Sequence, residues 1–395
     1  MAPSSHPTKV CVVTAARSEY GLLKWVLEEL SARQGVQLQL IVTGSHLSAR
    51  HGDTYREIET DGFRIERKIP MDLGRDDPVG LASATGLLTR DLAGAFADLQ
   101  PDVVLVMGDR FELLSVAAAC ILMTVPIAHI SGGEVSEGAI DDQIRHAMTK
   151  AAHLHLVSND THARRVLQMG EEDWRICISG EPGLDALHRA ERMTREELCR
   201  DLGIPAAGPL GLVTYHPVTL TPELLHAELG GLEAAMRAAA RERGVRFVIT
   251  YPNADAGNGA IVEAWTRLAA EHPGSVLVQS LGHKRYLSAL AGLDFMLGNS
   301  SSGLVEAPSF NMPVVNVGDR QGGRERGVNV IDVEPRAEAI RIGLERALAY
   351  DRRAAIENPY GGDGHASERV VDFIQRQHSD RSRAALLRKC FVNRS

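Results

Sequence analysis

Short apolar runs recur along the first half of the chain, and each gives way to a helical pattern. They stand at 9–16, 37–44, 103–108, 125–130, 154–158 and 176–180. Because apolar and polar residues do not alternate within them, these runs predict strands buried on both faces, as in a parallel sheet covered by helices. The expected fold class is therefore α/β.

The same alternation of apolar runs and helical patterns recurs in the second half of the chain. The later runs stand at 211–216, 246–252, 275–280, 295–300 and 313–318, with helical stretches such as TPELLHAELGGLEAAMRAAARERG between them. A GEPG turn and a charged stretch separate the two sets of runs. We predict two doubly wound, Rossmann-like domains, an N-terminal one at 1–185 and a C-terminal one at 186–369.

The composition and charge of the chain argue against several classes of protein. The net charge of −8 argues against non-specific binding to nucleic acid, which needs a basic surface. The segment MAPSSHPTKV has no apolar stretch typical of a signal peptide, and no later apolar run is long enough to span a membrane, so we expect a protein that is neither secreted nor membrane-spanning. The five cysteines are scattered without metal-ligand spacing, so a reducing cytoplasm and no metal site are expected.

Polar residues that suggest chemistry follow the predicted strands. Ligands of open parallel sheets bind outside the carboxyl ends of the strands, and we expect the two domains to form a cleft there. Arg17 follows the first strand in a turn of small residues before a helix, which suits a phosphate. No Gly-x-Gly-x-x-Gly is present in that turn, so the sequence lacks the motif that would best indicate a dinucleotide cofactor.

Carboxylates follow the third and fourth strands. The third strand leads into Asp109 and Arg110, and the fourth into a glycine-punctuated loop with Glu134, Asp141 and Asp142. The last two residues are also suited to cap the helix that follows them. Asp109 and Glu134 come from consecutive strand ends, and proton transfer at a sugar carbon needs such groups on both faces of the ring.

The second half offers residues suited to a nucleotide. His216 is held after its strand by Pro217, and Asn253 lies in a polar loop after the next strand. The string GNSSSGLVE, with Ser300, Ser301, Ser302 and Glu306, turns from a strand into a helix. Backbone amides and hydroxyls there can cradle a diphosphate, and the carboxylate can accept hydrogen bonds from the ribose. A later loop brings three more cations to the same end of the sheet: Arg320, Arg324 and Arg326.

Together these motifs resemble the hydrolysing UDP-N-acetylglucosamine 2-epimerases, which make N-acetylmannosamine for sialic acid and related nonulosonic acids. They span nearly the whole chain: TAARSEYGLL, TGSHLSARHGDTYREI, GDRFE, GGEVSEGAIDDQIRHAMTK, YHPVT, YPNADAG, GNSSSGLVEAPSF and RQGGRERGVNVIDV. The resemblance implies a GT-B-type pair of Rossmann-like domains facing across a cleft. It also implies a last helix, at about 370–390, packed on the N-terminal domain, and a homodimer or homotetramer that needs no metal or cofactor.

The resemblance assigns roles by matching motif. Asp109, Glu134 and Asp142 would be the acid/base residues, and His216 would assist the departure of UDP. The implied reaction is anti elimination of UDP to a 2-acetamidoglycal, followed by addition of water with inversion at carbon 2. The substrate-binding residues would be Arg17, Arg110, Ser131, Asn253, Ser300, Ser301, Ser302, Glu306, Arg320 and Arg324.

One position departs from the family pattern. Ser131 stands immediately before the glycines, where relatives often carry Glu or His. This departure leaves open a modified substrate such as UDP-N,N′-diacetylbacillosamine. A GT-B glycosyltransferase, a non-hydrolysing epimerase and a non-catalytic nucleotide-sugar sensor also remain as alternatives, although GDRFE, GGEVSEGAIDD and GNSSSG favour the hydrolysing branch.

Overall fold

A computed structural model of the chain describes residues 7–75, 77–353 and 356–394. The chain divides into two compact units. The first comprises Met1–Glu134, Asp141–Arg189 and Tyr360–Ser395, and the second comprises Val135–Ile140 and Ala190–Pro359.

Each unit is built on one parallel sheet. The strands of the first sheet are β1 (Thr8–Thr14), β2 (Val36–Thr43), β3 (Arg67–Ile69), β4 (Val103–Met107), β5 (Ile127–Ile130), β6 (Leu154–Val157) and β7 (Ile176–Ile178). Those of the second sheet are β8 (Leu210–Thr214), β9 (Arg246–Thr250), β10 (Val276–Val278), β11 (Phe295–Gly298), β12 (Val314–Val317) and β13 (Val330–Val333).

Helices alternate with these strands. In chain order they are α1 (Arg17–Ala32), α2 (Tyr55–Thr60), α3 (Pro78–Leu99), α4 (Glu112–Leu122), α5 (Ile140–Ala151), α6 (Asp160–Gln168), α7 (Ala186–Arg189), α8 (Arg195–Leu202), α9 (Leu225–Arg243), α10 (Asn258–Glu271), α11 (Gly282–Gly292), α12 (Ser302–Val305), α13 (Ala337–Leu348), α14 (Ala366–Asp380) and α15 (Arg383–Leu387). Capping residues set several of their ends. The Asp77 side chain accepts from the backbone nitrogen of Gly80 at the start of α3, and Gly244, with a positive φ, ends α9.

Both sheets have the doubly wound strand order. The first runs β3-β2-β1-β4-β5-β6-β7 and the second β10-β9-β8-β11-β12-β13, with every pair parallel. Strand order reverses between β1 and β4, and again between β8 and β11. This is the Rossmann-like topology, so the predicted fold class is confirmed for each unit.

The core of the first unit includes side chains from the C-terminal part of the chain. Val370, Phe373 and Ile374 of α14 and Leu386 of α15 are buried in the same cluster as the apolar side chains of β1 and α1. Burial of apolar area stabilises at roughly 25 cal/mol per Å². The last two helices are therefore an integral part of this unit's fold.

The limits of the units differ in detail from the predicted 1–185 and 186–369. The first unit extends to Arg189, because that side chain binds Glu29 and Glu368, each at 3.0 Å. The chain also returns to the first unit at Tyr360, and residues 135–140 group with the second unit. In this short segment the backbone nitrogen of Glu137 donates to the Gly322 carbonyl at 3.2 Å.

Gly298 lies where β11 approaches the end of β8 most closely. Its φ is +142°, and a Cβ atom at this position would stand 1.9 Å from the Thr214 carbonyl oxygen. Both the backbone conformation and the contact with the neighbouring backbone exclude a side chain. Glycine is therefore required at the start of the GNSSSG turn.

We predict that Gly298→Ala lowers the free energy of unfolding by about 3 kcal/mol or more, because the neighbouring backbone cannot move aside. Gly230→Ala is the matched control. Gly230 lies within α9 with no atom within 4 Å of a built Cβ, so alanine should raise stability by up to about 1 kcal/mol. Chemical denaturation followed by circular dichroism measures both, and equal effects of the two changes would contradict the expectation.

Candidate active site

The reversal point of the first sheet lies between β1 and β4. The chain leaves β1 through Ala15 and Ala16 into α1, which begins at Arg17, and it leaves β4 through Gly108 and Asp109. Ligands of doubly wound sheets bind at the carboxyl ends of the strands at this point. The topology therefore puts two of the predicted site residues, Arg17 and Asp109, where a ligand is expected.

Glu19 holds the turn that carries Arg17. Its Oε2 accepts hydrogen bonds from two backbone nitrogens of the turn, at 2.8 and 3.2 Å. Burial raises the pKa of Glu19 to about 7, and the Arg110 guanidinium opposes that rise. Arg110 is itself buried in an ion pair with Glu112 at 3.0 Å, whereas Arg17 is partly exposed. Of the two, Arg17 is thus the more accessible to an anion.

The Arg145 side chain gathers two of the predicted acid/base residues of this unit. It lies on α5, is 2% exposed, ion-pairs with Asp109 and approaches Glu134 Oε2 at 3.3 Å. It also donates to the Ser131 carbonyl at 2.7 Å. One guanidinium thus joins the ends of β4 and β5 and brings Asp109 and Glu134 to the same edge of the sheet.

Ser131 follows β5 in the left-handed region, with φ +63°. Its backbone nitrogen donates to the Leu156 carbonyl at 2.9 Å, which continues the pairing of β5 with β6. Its hydroxyl donates to Glu181 Oε2 at 3.2 Å. Ser131 therefore takes part in the buried polar network.

Asp142 lies in the first turn of α5 and is partly exposed. Its Oδ2 stands 3.5 Å from His146 Nε2, one helical turn away. Burial lowers the pKa of His146, and the Asp142 charge opposes this effect. Asp142 thus lies on the same helix as Arg145 and makes its own contact with His146.

In the second unit, the reversal point lies between β8 and β11. His216 follows β8 and Asn299 follows β11, and the two residues are locked by reciprocal hydrogen bonds. Asn299 Oδ1 accepts from the His216 backbone nitrogen at 2.7 Å, and Asn299 Nδ2 donates to the His216 carbonyl at 2.9 Å. The backbone on either side of the reversal point is therefore fixed.

The imidazole of His216 has a defined tautomer. Its Nδ1 accepts a hydrogen bond from the backbone nitrogen of Asn253 at 3.1 Å. In the neutral ring the proton is then on Nε2. His216 can therefore act as a hydrogen-bond donor through Nε2.

The serine string lies directly after Asn299. The hydroxyl of Ser302 accepts from the Tyr286 hydroxyl at 2.7 Å, and its backbone nitrogen approaches Ser300 Oγ at 3.4 Å. The helix that follows is only four residues long, Ser302–Val305, and Glu306 stands at its C-cap. The string is thus a compact turn that leads into a short helix, as the sequence predicts.

The predicted arginines of the second unit have different neighbours. Arg320 donates to the Asn299 carbonyl at 3.4 Å, beside Gln321 Nε2, which donates to the same oxygen at 2.9 Å. Arg324 donates to Ser136 Oγ at 3.1 Å, and Arg326 ion-pairs with Asp332 at 2.9 Å. Of the three, Arg320 is the one attached to the reversal point.

Sequence reasoning assigns no role to several residues of these networks. They are Arg145, Ser158, Glu181, Asn299 and Gln321. Each lies shortly after a strand or inside a helix next to an acidic loop, and this position is what could indicate a role from the sequence. Burial, which sequence alone does not reveal, separates them from surface residues.

Neither a metal centre nor a membrane span is found in the described part of the chain. Among those residues, no group of three or more His, Cys, Asp or Glu side chains is arranged to hold a metal ion. Across residues 7–75, 77–353 and 356–394, no helix combines the length and apolar character that crossing a membrane requires.

The fold and these side chains define the class of the protein. It has two Rossmann-like sheets, with the partly buried Asp109 and the buried Glu134 at the carboxyl edge of one and a histidine, serines and an arginine at that of the other. Doubly wound sheets with such groups at the carboxyl ends of their strands are typical of nucleotide-binding enzymes.

Comparison with known proteins identifies the family. A family model described as UDP-N-acetylglucosamine 2-epimerase matches residues 28–375. The GDP/UDP-N,N′-diacetylbacillosamine 2-epimerase (hydrolyzing) of Campylobacter jejuni is 38% identical over 327 residues, 82% of this chain and 84% of that protein. The UDP-N,N′-diacetylbacillosamine 2-epimerase (hydrolyzing) of Legionella pneumophila is 36% identical over 367 residues, 93% of this chain and 95% of that protein.

A solved structure has the same fold. The crystal structure of UDP-GlcNAc 2-epimerase from Neisseria meningitidis bound to UDP-GlcNAc matches with a TM-score of 0.78 at 18% identity, over 93% of this chain and 100% of that chain. The chain belongs to the UDP-N-acetylglucosamine 2-epimerase family.

Proposed function

We propose that this chain is a hydrolysing 2-epimerase, which releases UDP from a UDP-linked 2-acetamido sugar and inverts the sugar at carbon 2. The observation that carries the proposal is the ion-pair cluster in which the buried Arg145 binds the partly buried Asp109 and the buried Glu134. Inversion at a carbon needs groups that remove and return a proton. The reaction itself is proposed from the membership of the chain in the UDP-N-acetylglucosamine 2-epimerase family.

Asp109, Glu134 and Asp142 supply the acid/base groups. One carboxylate takes the hydrogen from carbon 2 as UDP leaves carbon 1, which gives a 2-acetamidoglycal. Another protonates carbon 2 from the opposite face while water adds at carbon 1. His216, with its proton on Nε2, assists the departure of the diphosphate.

The other predicted site residues bind the substrate. Arg17 and the turn before α1 suit an anion. In the second unit, the hydroxyls after Asn299 and the guanidinium of Arg320 suit the diphosphate. The full set proposed to bind UDP and the sugar is Arg17, Arg110, Ser131, Asn253, Ser300, Ser301, Ser302, Glu306, Arg320 and Arg324.

The sugar we favour is N,N′-diacetylbacillosamine. Two relatives that are 38% and 36% identical carry this sugar in their names. UDP-N-acetylglucosamine, which would yield N-acetylmannosamine for sialic acid synthesis, is the second candidate, because it names the family model. We also propose that the enzyme works in the cytoplasm, where its five free cysteines would stay reduced.

Incubation of the protein with either UDP-sugar in deuterated water tests the reaction. We expect free UDP and a sugar inverted and deuterated at carbon 2, because the returning proton comes from solvent. We also expect kcat/KM to be at least about tenfold higher for UDP-N,N′-diacetylbacillosamine, since amide groups recognised by buried polar partners discriminate strongly. A UDP-linked epimer, transfer to an acceptor, or no release of UDP would contradict the proposed function.

Substitution tests the catalytic assignments. Asp109→Asn and His216→Ala should each lower kcat by roughly 10²-fold or more, because each removes a group that transfers or donates a proton. Binding of UDP, measured by calorimetry, should persist in both variants. His226→Ala is the matched control, because this histidine is exposed on α9 and should leave kcat unchanged. Loss of folding in the first two variants would give these residues a structural role instead.

The proposed oligomer is a homodimer or homotetramer, and an apolar surface supports it. On α4, Leu114, Ile121 and Leu122 are 40%, 53% and 80% exposed, and their spacing puts them on one face. On α3, Val79 and Leu87 are 63% and 48% exposed. The two helices pack side by side, since Ser115 Oγ of α4 donates to the Thr85 carbonyl of α3 at 2.8 Å. An uncharged face can meet its own copy across a twofold axis without repulsion.

Leu122→Asp should therefore convert the oligomer to a smaller species, measured by analytical ultracentrifugation, because it would bury a charge at the interface. Leu224→Asp replaces a leucine that is 46% exposed in the second unit and should leave the mass unchanged. A wild-type protein that sediments as a monomer would contradict this proposal.

A further inference from the structure

Ser158 stands between two buried carboxylates in the first unit. Its Oγ lies 3.3 Å from Glu134 Oε1 and 3.1 Å from Glu181 Oε2. The three residues follow β5, β6 and β7, which are neighbours in the sheet, and each is at most 6% exposed. The contact therefore lies at the carboxyl edge of the sheet and away from bulk water.

The number of protons in this contact limits its chemistry. A serine hydroxyl has one proton to donate and two lone pairs that accept. Two ionised carboxylates could accept from it only by sharing that one proton, and an ionised oxygen that faces a serine lone pair is repelled. Each contact is a full hydrogen bond when one carboxyl group is protonated and donates to Ser158, while Ser158 donates to the other.

Arg145 decides which carboxyl group holds the proton in the resting state. Its guanidinium lies 3.3 Å from Glu134 Oε2, so the charged form of Glu134 is favoured. The proton then resides on Glu181, whose Oε2 also accepts from the Ser131 hydroxyl at 3.2 Å. This arrangement gives every hydroxyl proton of the contact an acceptor.

We infer that Glu134 and Glu181 share one proton through Ser158, and that Glu181 is the group that supplies Glu134 with the proton it delivers to the substrate. Glu181 acts through Ser158 and Glu134 and is thus a positioning and proton-holding residue. This role rests on the proposed function, because it concerns the step that protonates carbon 2 of the glycal.

The transfer balances without a change in charge. Glu181 gives its proton to Ser158 Oγ as Ser158 gives its own to Glu134, so one ionised carboxylate is replaced by another. Such an exchange avoids a net change of buried charge, which would be costly. Glu134 then gives its proton to carbon 2, and one proton from water returns to Glu181.

Other charged and ionisable side chains lie on the elements that pack around β5, β6 and β7. On the strands and the loops after them they are Asp109, His129 and Asp185, and on the helices they are Arg145, His162, Arg165 and Arg369.

The proposal is tested by comparing two products of one reaction. In Glu181→Gln, the amide keeps the size of the side chain but cannot give up a proton to Ser158. We expect UDP release to continue, while formation of the sugar protonated at carbon 2 falls by roughly 10²-fold. The glycal then accumulates, and the ratio of UDP to epimerised sugar rises above the value of one expected for wild type.

Ser158→Ala removes the linking hydroxyl and carries the same expectation, so the test stands if Glu181→Gln does not fold. The double variant should be no worse than either single variant, because both interrupt one path. Ser179→Ala is the matched control: this buried serine after β7 donates to the Val157 carbonyl and should leave the ratio at one.

The outcomes separate the inference from the proposed function. Equal losses of UDP and of epimerised sugar in Glu181→Gln and Ser158→Ala would overturn the shared proton, because a purely structural role slows both steps alike. Unchanged activity in both variants would overturn it as well. Failure of the wild type to release UDP from either UDP-sugar would instead overturn the proposed function, and the proton-supplying role with it.

Discussion

The arrangement of the first unit's site depends on the guanidinium of Arg145. It is 2% exposed and binds Asp109, Glu134 and the Ser131 carbonyl, so it fixes groups that follow two adjacent strands. A buried ion pair broken on one side leaves an uncompensated charge, at a cost of about 3–5 kcal/mol. Glu134 can remain buried, and Asp109 in place, because this cation accompanies them.

Sheet topology explains why the groups meet there. Parallel strands deliver their following residues to one edge, and in a doubly wound sheet the helices diverge at the reversal point and leave that edge open. The second unit also gathers polar residues at its reversal point, but around an amide side chain. There Asn299 binds the backbone of His216 in both directions, and its own carbonyl accepts from Arg320 and Gln321. A neutral amide thus organises the second unit, as a guanidinium organises the first.

The long buried strands are predicted well from sequence, because a continuous apolar run bounded by turn residues is typical of a strand that is covered on both faces. Two strands are missed: β3, whose residues RKI carry two charges, and β13, whose residues VIDV are short and interrupted by an acid. Both are edge strands, and their pairing is decided by backbone hydrogen bonds to a neighbour and not by burial. Their local sequence therefore lacks the signal that marks a central strand.

Some residues of the candidate site are likewise predictable from the sequence, and others are not. Asp109, Glu134 and His216 are predictable because strand ends are visible in the sequence and the residue types are reactive. Arg145 and Asn299 are not, because their importance comes from burial and from partners far along the chain. The helix after the turn at 300–302 is predicted as well, but its length of four residues is not evident from the sequence, in which Pro308 lies shortly after its end.

Ser131 connects Arg145 with Glu181 in the polar network of the first unit. Its carbonyl accepts from Arg145 and its hydroxyl contacts Glu181, so a single residue connects the cation to the second carboxylate. A carboxylate at this position would add a further negative charge beside Glu134 and Glu181, and burial of that charge would require another cation or another proton. A serine avoids that requirement and satisfies Glu181 with a neutral hydroxyl. The neutral hydroxyl at 131 is therefore compatible with the protonated carboxyl group that we propose at 181.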